Sequence, residues 1–583
     1  MPGVRRGTSP PPLDGALVQR VLGVMQRRLT SGLSAGAVWD AYRDWFEHLV
    51  RAPEKRRALA AAALRDIVQF ALYGIRATFE AQERPYIRSG KHDRRFLDEQ
   101  WRRWPFDLIH ESFLLTERWW REATTDVPGV TKHHEGIVSF TTRQVLGALS
   151  PASFPLTNPQ VLAATVAQRG ANIRRGAISF ADDWRRLLAG ERPAGAEDFV
   201  PGEGVALTPG KVVFRNNLVE LIQYAPTTPT VYPEPVLLIP AWILRYYILD
   251  LSPRDSLVRY LVNHGHTVFV ISWKNPTTAD RGLGFEDYRT SGLMSVVEVV
   301  SAIVRGRQIH AVGYCLGGTL LALAAAAMAG RSDKRLRTVT LLAAQADFTE
   351  AGELSTFIDE EQIASLEELM RTQGYLDTRQ LVLPVLLLRA CEFLWPLLLR
   401  QYLLGEREPM TALMAWRTDA TRLPPRMYSE YLRRLLLGNE LAAGRYKVEG
   451  RQVRMADLTV PIFAVGALDD FVAPWRSVYR IHFLTGVDVT FVLTDGDHHS
   501  GIIADPDELQ RSFTIATSGA GQERIDADTW LDRASAYSGR WWPEWQRWLS
   551  RHSSERGDPP PRGQPSAGHV PLCDAPGTYV LQG

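Results

Sequence analysis

The strongest constraint on the fold comes from residues 309–330, which read IHAVGYCLGGTLLALAAAAMAG. A short apolar run precedes G-x-C-x-G, and a run of small, helix-favouring apolar residues follows it. This order predicts a buried strand, a sharp turn and a buried helix, with Cys315 at the tip of the turn. Gly313 and Gly317 leave room for such a turn to pack, and the turn aims its central side chain off the sheet. The pattern favours a reactive nucleophile over a buried structural cysteine, the common state of a free thiol.

The chain after residue 205 repeats one plan. Further apolar runs alternate with helical stretches and read PVLLIPA, HTVFVISW, TVTLLAAQADF, PIFAVGALDD and DVTFVLTDGDHH. Continuous apolar strands separated by helices are typical of a parallel sheet covered on both faces, so the pattern predicts an α/β fold. The sequence therefore indicates a mostly helical N-terminal domain over 1–204 and a catalytic α/β domain over 205–550.

Two segments depart from this plan. Residues 350–455, rich in Leu, Trp and Tyr, separate two strands and exceed an ordinary crossover, so we expect a helical insertion and a candidate lid. Residues 551–583 begin with a stretch rich in Pro, Gly and Ser, which predicts a flexible tail.

Composition excludes several kinds of site and partner. The formal charge of +2 over 583 residues gives no indication of nucleic-acid binding. The three cysteines, Cys315, Cys391 and Cys573, have neither metal-ligand nor disulfide-framework spacing. The first residues lack the apolar core of a signal peptide. The most hydrophobic run, residues 381–399, contains charged residues and prolines, so we expect a buried or interface helix and no transmembrane segment.

An activated cysteine needs a base and a group that orients the base. In α/β-hydrolase folds the acid and the histidine follow the nucleophile in that order, at later strand ends. Asp469 and Asp470 lie at the end of the predicted strand PIFAVGALDD, and His498 and His499 lie at the end of DVTFVLTDGDHH. Neighbours at a strand end point in different directions, so one of each pair should face the nucleophile. Local chemistry slightly favours Asp470 over Asp469 and does not distinguish His498 from His499.

The expected roles follow from this order. The histidine takes the thiol proton, the aspartate fixes its tautomer, and Cys315 attacks a carbonyl carbon. We expect the backbone N–H groups of Leu316 and Ile243 to stabilise the oxyanion. A thiol nucleophile suits a thioester donor, because exchange between two thioesters is nearly isoenergetic. The sequence thus favours acyl transfer over hydrolysis.

At these residues the sequence resembles the polyhydroxyalkanoate synthases, bacterial enzymes that form polyesters. The likeness includes GYCLGG, DRRFLDEQWRRWPFDLIHESFLLTERWW, LSPASFPLTNPQ, FIDEEQ, LDDFVAPW and RWWPEWQRWL, and spans roughly residues 85–550. It also includes IPAWILRYYILDLSPRDSLVRYLVNHGHTVFVISWKNP. The length and GYCLGGT are most similar to the class I, single-subunit-type enzymes, which favour short-chain substrates.

The resemblance implies an α/β-hydrolase core under a lid, acting on (R)-3-hydroxyacyl-CoA without a cofactor or metal. The family's cysteine, aspartate and histidine correspond to Cys315, Asp470 and His498, and Asp250 matches a family aspartate that either lies near the site or is structural. The resemblance also implies a cytoplasmic homodimer that carries a growing polyester chain at the granule surface.

Several family positions differ in this chain. Arg417 in WRTDAT and Leu244 in PAWILRYY each replace an asparagine, and Cys391–Glu392 replaces the usual Asn-Asp. Arg417 could contact a CoA phosphate or fill part of the pocket. These departures motivate two alternatives: a cysteine-type acyl-CoA thioesterase or depolymerase, and a weakly active paralog that associates with granules.

Overall fold

The computed structural model describes residues 35–79, 86–87, 93, 95–352, 355, 358–381, 390, 394–503 and 511–583. The described residues form two compact units, which are treated separately below. The first contains residues up to Gly176 together with those from Gln380 to Gly405, and the second contains Ala177–Arg379 and Glu406–Gly583. This division differs from the predicted boundary at 204.

Part of the predicted insertion belongs to the first unit. Asn172 Nδ2 donates to the carbonyl of Leu403 at 2.9 Å. A Cβ on Gly176 would lie 1.9 Å from the carbonyl oxygen of Tyr402, so the two backbones touch. This close packing groups the segment with the N-terminal helices.

The first unit is helical, which confirms that prediction. Asn158 caps one helix by accepting from the N–H groups of Gln160 and Val161, and Pro159 occupies the first helical position. Phe96, Trp101, Leu114 and Ala152 form a small buried cluster. Its described α-helices are Ala35–Arg51, Pro53–Phe79, Phe106–Thr124, Lys132–Ala148, Pro159–Ala167, Leu394–Leu398 and the first part of Ala171–Ala189, joined by a π-helix at Leu399–Leu403 and 3₁₀ turns at Glu99–Arg102 and Pro151–Ser153.

One described helix, Pro53–Arg76, has the length and apolar composition needed to cross a membrane. A single such helix is weak evidence for a span, because helices in soluble proteins can have the same length and composition.

The second unit is built on an eleven-stranded sheet with the order β14-β13-β12-β11-β6-β5-β3-β4-β2-β1-β15. The six neighbouring strands from β12 to β4 are parallel, and the strands outside them pair antiparallel. These six are the six apolar runs found in the sequence. The strands are β1 Gly210–Arg215, β2 Val219–Tyr224, β3 Tyr232–Ile239, β4 His266–Trp273, β5 Ile309–Tyr314, β6 Leu336–Leu342, β7 Leu376–Asp377, β8 Arg422–Leu423, β9 Lys447–Val448, β10 Arg451–Gln452, β11 Ile462–Ala467, β12 Val489–Thr494, β13 Ser512–Ser518, β14 Ser535–Ser538 and β15 Cys573–Asp574.

Helices cover this sheet and form the insertion between β6 and β11. Two short antiparallel ladders, β7–β8 and β9–β10, lie within the insertion. The 14-residue helix Leu316–Ala329 is buried almost throughout, because its Leu, Ala and Gly residues pack on β5 and β6. This unit also contains the second part of Ala171–Ala189 and the α-helices Leu257–Asn263, Phe285–Asp287, Ser295–Ile303, Glu360–Gln373, Ala412–Thr418, Pro425–Glu430, Trp475–Tyr479, Ile481–Leu484, Ala527–Arg533 and Trp542–Arg551, with π-helices at Tyr288–Met294 and Tyr431–Leu437 and several short 3₁₀ helices.

Residues 551–583 differ from the predicted flexible tail. They follow the sheet, and β15 adds to β1 as its last strand. Buried polar side chains of the sheet hold them: Glu234 accepts from Ser554, Gln223 bonds Pro561 and Gly563, and Glu220 accepts from Thr578. The order comes from these long-range hydrogen bonds, which the local composition does not indicate.

Candidate active site

Cys315 occupies a strained turn between β5 and helix Leu316–Ala329. Its φ and ψ are 52° and −126°, a conformation that residues with a side chain rarely adopt. The glycines around it allow very close packing: a Cβ on Gly313 would lie 2.3 Å from Gly318 Cα, and one on Gly317 would lie 2.2 Å from the carbonyl oxygen of Ile239. The turn therefore presents a partly exposed thiol at the carboxyl edge of the sheet and at a helix N-terminus, which favours negative charge.

Asp470 and His498 meet at the same edge. His498 Nδ1 lies 2.6 Å from Asp470 Oδ2, and both side chains are buried. The other carboxylate oxygen accepts from the N–H groups of Val472 and Ala473 at 2.9 and 2.8 Å. Asp470 is thus fixed on both oxygens, whereas Asp469 is exposed. Of the two candidate acids, Asp470 is the one that contacts a histidine.

The His498 imidazole interacts with the Cys315 side chain as well as with Asp470. Burial lowers the pKa of His498, but the charges of Asp470 and Cys315, and hydrogen bonds to both side chains, raise it more. The net pKa lies well above the ordinary histidine value. A histidine that keeps its proton beside a thiol stabilises the thiolate, which is the nucleophilic form.

His499 has a different environment. Its Nδ1 lies 2.6 Å from the hydroxyl of Tyr314, and its ring packs edge-on against Trp416 with centroids 4.9 Å apart. Burial and the neighbouring charges of His498 and Arg417 lower the pKa of His499 well below its usual value. His499 is therefore neutral and shares a hydrogen bond with the Tyr314 hydroxyl, whereas the histidine that contacts Asp470 is His498.

Arg417 lies beside the histidine loop. Its Nη2 is 3.1 Å from Asp497 Oδ2, and 42% of its side chain is exposed. Asp497 Oδ1 accepts from the N–H groups of His499 and Ser500, which fixes the turn after β12. Burial raises the pKa of Asp497, but Arg417 and these N–H groups bring it far below its usual value. The site thus carries a partly exposed cation that pairs with a structural carboxylate.

The expected oxyanion donors lie on two neighbouring segments. Leu316 begins the helix after Cys315, and Ile243 lies in the loop that follows β3. The carbonyl of Ile243 accepts from Thr421 Oγ1 at 2.6 Å, which joins this loop to the insertion. Leu244 next to it forms an isolated bridge with Ala420.

Asp250 has the contacts of a structural carboxylate. It is buried and accepts from Thr208 Oγ1 and Ser256 Oγ at 2.6 Å each. Burial raises its pKa despite these bonds. Among the described residues, its carboxylate bonds Thr208 and Ser256 rather than Cys315 or His498. Cys391 and Glu392 lie outside the described residues.

Three aromatic residues support the site without having been assigned a role from the sequence. Tyr314 contacts both histidines, and its ring centroid is 5.8 Å from that of His498. Trp541 Nε1 donates to the carbonyl of Gly501 at 3.1 Å, and Trp542 Nε1 donates to Ile502 at 2.9 Å. The signal for the two tryptophans is the tryptophan-rich run RWWPEWQRWL, which does not indicate a partner, and Tyr314 lies next to Cys315 in GYCLGG.

No group of three or more His, Cys, Asp or Glu side chains among the residues that the structure describes could hold a metal ion. The polar groups at the carboxyl edge are those of acyl transfer: a thiol at a helix end, a histidine and a buried carboxylate.

Comparisons with protein families match most of the region, roughly residues 85–550, in which the sequence resembles the polyhydroxyalkanoate synthases. The family described as poly-beta-hydroxybutyrate polymerase N-terminus matches residues 92–261, and the α/β-hydrolase fold family matches residues 234–506. A further poly-beta-hydroxybutyrate polymerase N-terminal family matches residues 20–55. The α/β-hydrolase match confirms the predicted fold class.

Curated relatives align along most of the chain. A poly(3-hydroxyalkanoate) polymerase of Methylorubrum extorquens is 37% identical over 85% of this chain and 82% of its own length. The corresponding subunit of Rhizobium meliloti is 36% identical over 84% of this chain and 80% of its own. That of Cupriavidus necator is 33% identical over 90% of this chain and 89% of its own.

Proposed function

Because this chain belongs to the poly(3-hydroxyalkanoate) polymerase family and is an acyltransferase, we propose that it polymerises (R)-3-hydroxyacyl-CoA through a covalent thioester on Cys315. The observation that carries the proposal is the arrangement of His498, whose Nδ1 lies 2.6 Å from Asp470 and whose imidazole also interacts with the Cys315 side chain. Asp470 fixes the tautomer, His498 moves the proton, and Cys315 carries the acyl group.

In the first half-reaction, the Cys315 thiolate attacks the carbonyl carbon of the CoA thioester. The new carbon–sulfur bond forms at Cys315 and the bond to the CoA sulfur breaks. The departing CoA thiolate takes the proton that His498 held. The backbone N–H groups of Leu316 and Ile243 stabilise the oxyanion in between.

In the second half-reaction, the 3-hydroxyl oxygen of another acyl unit attacks the Cys315 thioester. His498 accepts the hydroxyl proton, an ester bond forms, and Cys315 leaves as the thiolate. The raised pKa of His498 suits both halves, because the ring must return to its protonated state in each cycle.

A thiol suits this cycle better than a hydroxyl. The incoming and the enzyme-bound acyl groups are both thioesters, so loading is nearly isoenergetic. The ester product is more stable than either thioester, which drives chain growth. An oxygen ester on the enzyme would remove this driving force.

The substrate range and partners follow the family resemblance. We propose short-chain substrates such as 3-hydroxybutyryl-CoA, no cofactor, and a cytoplasmic homodimer that binds the growing polyester at the granule surface. Arg417 is proposed to face the substrate region, because its side chain is partly exposed beside the loop that carries His498. Asp250 is proposed to be structural.

The test measures CoA release from 3-hydroxybutyryl-CoA by the purified chain, with polymer recovered from the same tube. Cys315→Ala is run beside it, with Cys573→Ser as a control for general loss of a partly buried thiol. We expect release and polymer from the parent chain and from the control, and neither from Cys315→Ala.

Other outcomes contradict the proposal in distinguishable ways. CoA release with only free hydroxy acid identifies a thioesterase. Release that survives in Cys315→Ala excludes the covalent step. Granule association without release from short- or longer-chain substrates identifies a weakly active paralog.

A further inference from the structure

The end of the segment 551–582, hereafter the strap, reaches the carboxyl edge of the sheet where the site lies. Its start lies at the opposite edge, since Gly557 exchanges two hydrogen bonds with Val231, just before β3. The strap then follows β1 through β15 and ends beside Asn275, two residues after the end of β4. Strands β3 and β4 are parallel, so the strap passes from their amino ends to their carboxyl ends.

Arg245 connects the strap to the loop that follows β3. Its Nη1 donates to the carbonyl of Tyr579 at 3.2 Å, and its Nη2 donates to the carbonyl of Gln582. The Arg245 side chain is only 4% exposed, so these carbonyls replace the water that the guanidinium would otherwise bind. Asp419 adds the counter-charge, 3.6 Å from Arg245 Nε.

Asn275 provides a second connection at the same place. Its backbone N–H donates to Gln582 Oε1 at 3.0 Å, and its Nδ2 donates to the Gln582 carbonyl at 3.3 Å. Its own Oδ1 accepts from the N–H of Arg422 at 2.9 Å. Asn275 therefore binds the strap and the insertion together.

The loop held by Arg245 also contacts the insertion. Trp416 Nε1 donates to the carbonyl of Arg245 at 2.8 Å, and Thr421 Oγ1 donates to that of Ile243. Trp416 in turn packs on His499, and Arg417 pairs with Asp497. One hydrogen-bonded network thus contains the strap, the loop after β3 and the segment beside the histidines.

We propose that Arg245, Asn275 and Gln582 are positioning residues, through which the strap sets the loop carrying the Ile243 N–H during acylation of Cys315. The inference rests on the proposed function, because it concerns the acyl chemistry of the same site. A donor that is displaced by a fraction of an ångström stabilises the oxyanion less, while the thiolate itself is unaffected.

The test compares Arg245→Lys with the parent chain. Lysine keeps the cation for Asp419 but lacks the planar guanidinium, whose two separate nitrogens donate to the Tyr579 and Gln582 carbonyls. We expect the rate of acylation, read as the CoA burst from 3-hydroxybutyryl-CoA, to fall roughly tenfold or more. The KM and the rate of Cys315 alkylation by iodoacetamide stay within about threefold, because the thiol and His498 are not contacted by Arg245.

Two further variants keep the test decisive. Gln582→Ala removes the acceptor for the Asn275 N–H at a partly exposed position, so it folds even if Arg245→Lys does not, and we expect a smaller loss of the same kind. Lys211→Ala removes the strap contact to Asp574 at the edge of the sheet and is expected to leave the burst unchanged.

A burst within twofold of the parent in folded Arg245→Lys or Gln582→Ala overturns the inference. An equal loss in Lys211→Ala also overturns it, because the effect is then one of general stability. Absence of any burst in the parent chain contradicts the proposed function instead.

Discussion

His498 Nδ1 and Asp470 Oδ2 are 2.6 Å apart, in a buried pair whose carboxylate is held on its other side by two backbone N–H groups. This relationship sets both the orientation and the protonation of the imidazole that serves Cys315.

Replacing Asp470 with Asn keeps the size of the side chain and removes its charge. We expect the acylation rate to fall roughly 10²- to 10⁴-fold, because the ring loses its preferred tautomer. Asp470 raises the pKa of His498, so the alkaline limb of the pH–rate profile should move to lower pH in the variant. A limb that stays in place would contradict the charge effect. Asp469→Asn, at an exposed position, is the matched control and should behave as the parent chain.

The two histidines should respond differently. His498→Asn should abolish acylation, whereas His499→Ile should retain the position of both limbs of the pH profile, because His499 is already neutral. His499→Ile removes the short hydrogen bond of the buried Tyr314 hydroxyl and leaves it a 3.4 Å contact with the His498 carbonyl, so we expect a loss of about 1–3 kcal/mol in the free energy of unfolding. Adding Tyr314→Phe should restore part of that loss. Full loss of activity in His499→Ile with normal folding would overturn this assignment.

Arg417→Asn should change substrate binding more than stability. The ion pair with Asp497 is partly exposed, so its removal should alter the free energy of unfolding by about 1 kcal/mol or less. If the cation faces the CoA phosphates, the KM rises several-fold with kcat kept, and the KM of the parent chain increases with salt. Arg417→Lys, which keeps the charge, is the control. An unchanged KM in Arg417→Asn would place the phosphates elsewhere.

Gly317→Ala should damage the turn that carries Cys315. The added Cβ would lie 2.2 Å from the carbonyl oxygen of Ile239, and backbone cannot move as easily as a side chain. We expect a loss of about 1–3 kcal/mol or more in the free energy of unfolding, together with slower acylation. Gly486→Ala adds the same methyl group where nothing lies within 4 Å and should be neutral in thermal unfolding and CoA release. If both variants unfold at the same temperature and release CoA at the same rate, the close approach of Gly317 to the Ile239 carbonyl is not needed for stability or acylation.

The sequence predicts the core of this fold because the six parallel strands are buried on both faces and read as continuous apolar runs. The turn that carries Cys315 was predictable for a related reason: Gly313 and Gly317 mark a turn that few other structures require. Asp470 and His498 were harder, since each has a neighbour of the same type and local chemistry does not show which of two adjacent side chains faces the thiol. The family resemblance favoured His498 over His499. In the structure, His498 is the histidine that contacts Asp470.

The strap was not predictable from its composition. Its Pro, Gly and Ser residues have neither helical nor strand periodicity, and its order depends on Glu220, Gln223 and Glu234, which lie more than three hundred residues earlier. The roles of Trp541 and Trp542 also depend on distant carbonyls. Such contacts are properties of the assembled sheet rather than of any local stretch.

The indole groups of Trp541 and Trp542 hold the backbone just after His499, and this has a consequence for the order of events during synthesis. The ribosome makes Cys315 and its turn more than two hundred residues before these tryptophans. The nascent polypeptide therefore contains Cys315 long before Trp541 and Trp542 can bond the loop that carries the histidines. Acyl-CoA consumption should begin only when translation has passed residue 542 and that region has left the exit tunnel, so unfinished chains would not capture substrate.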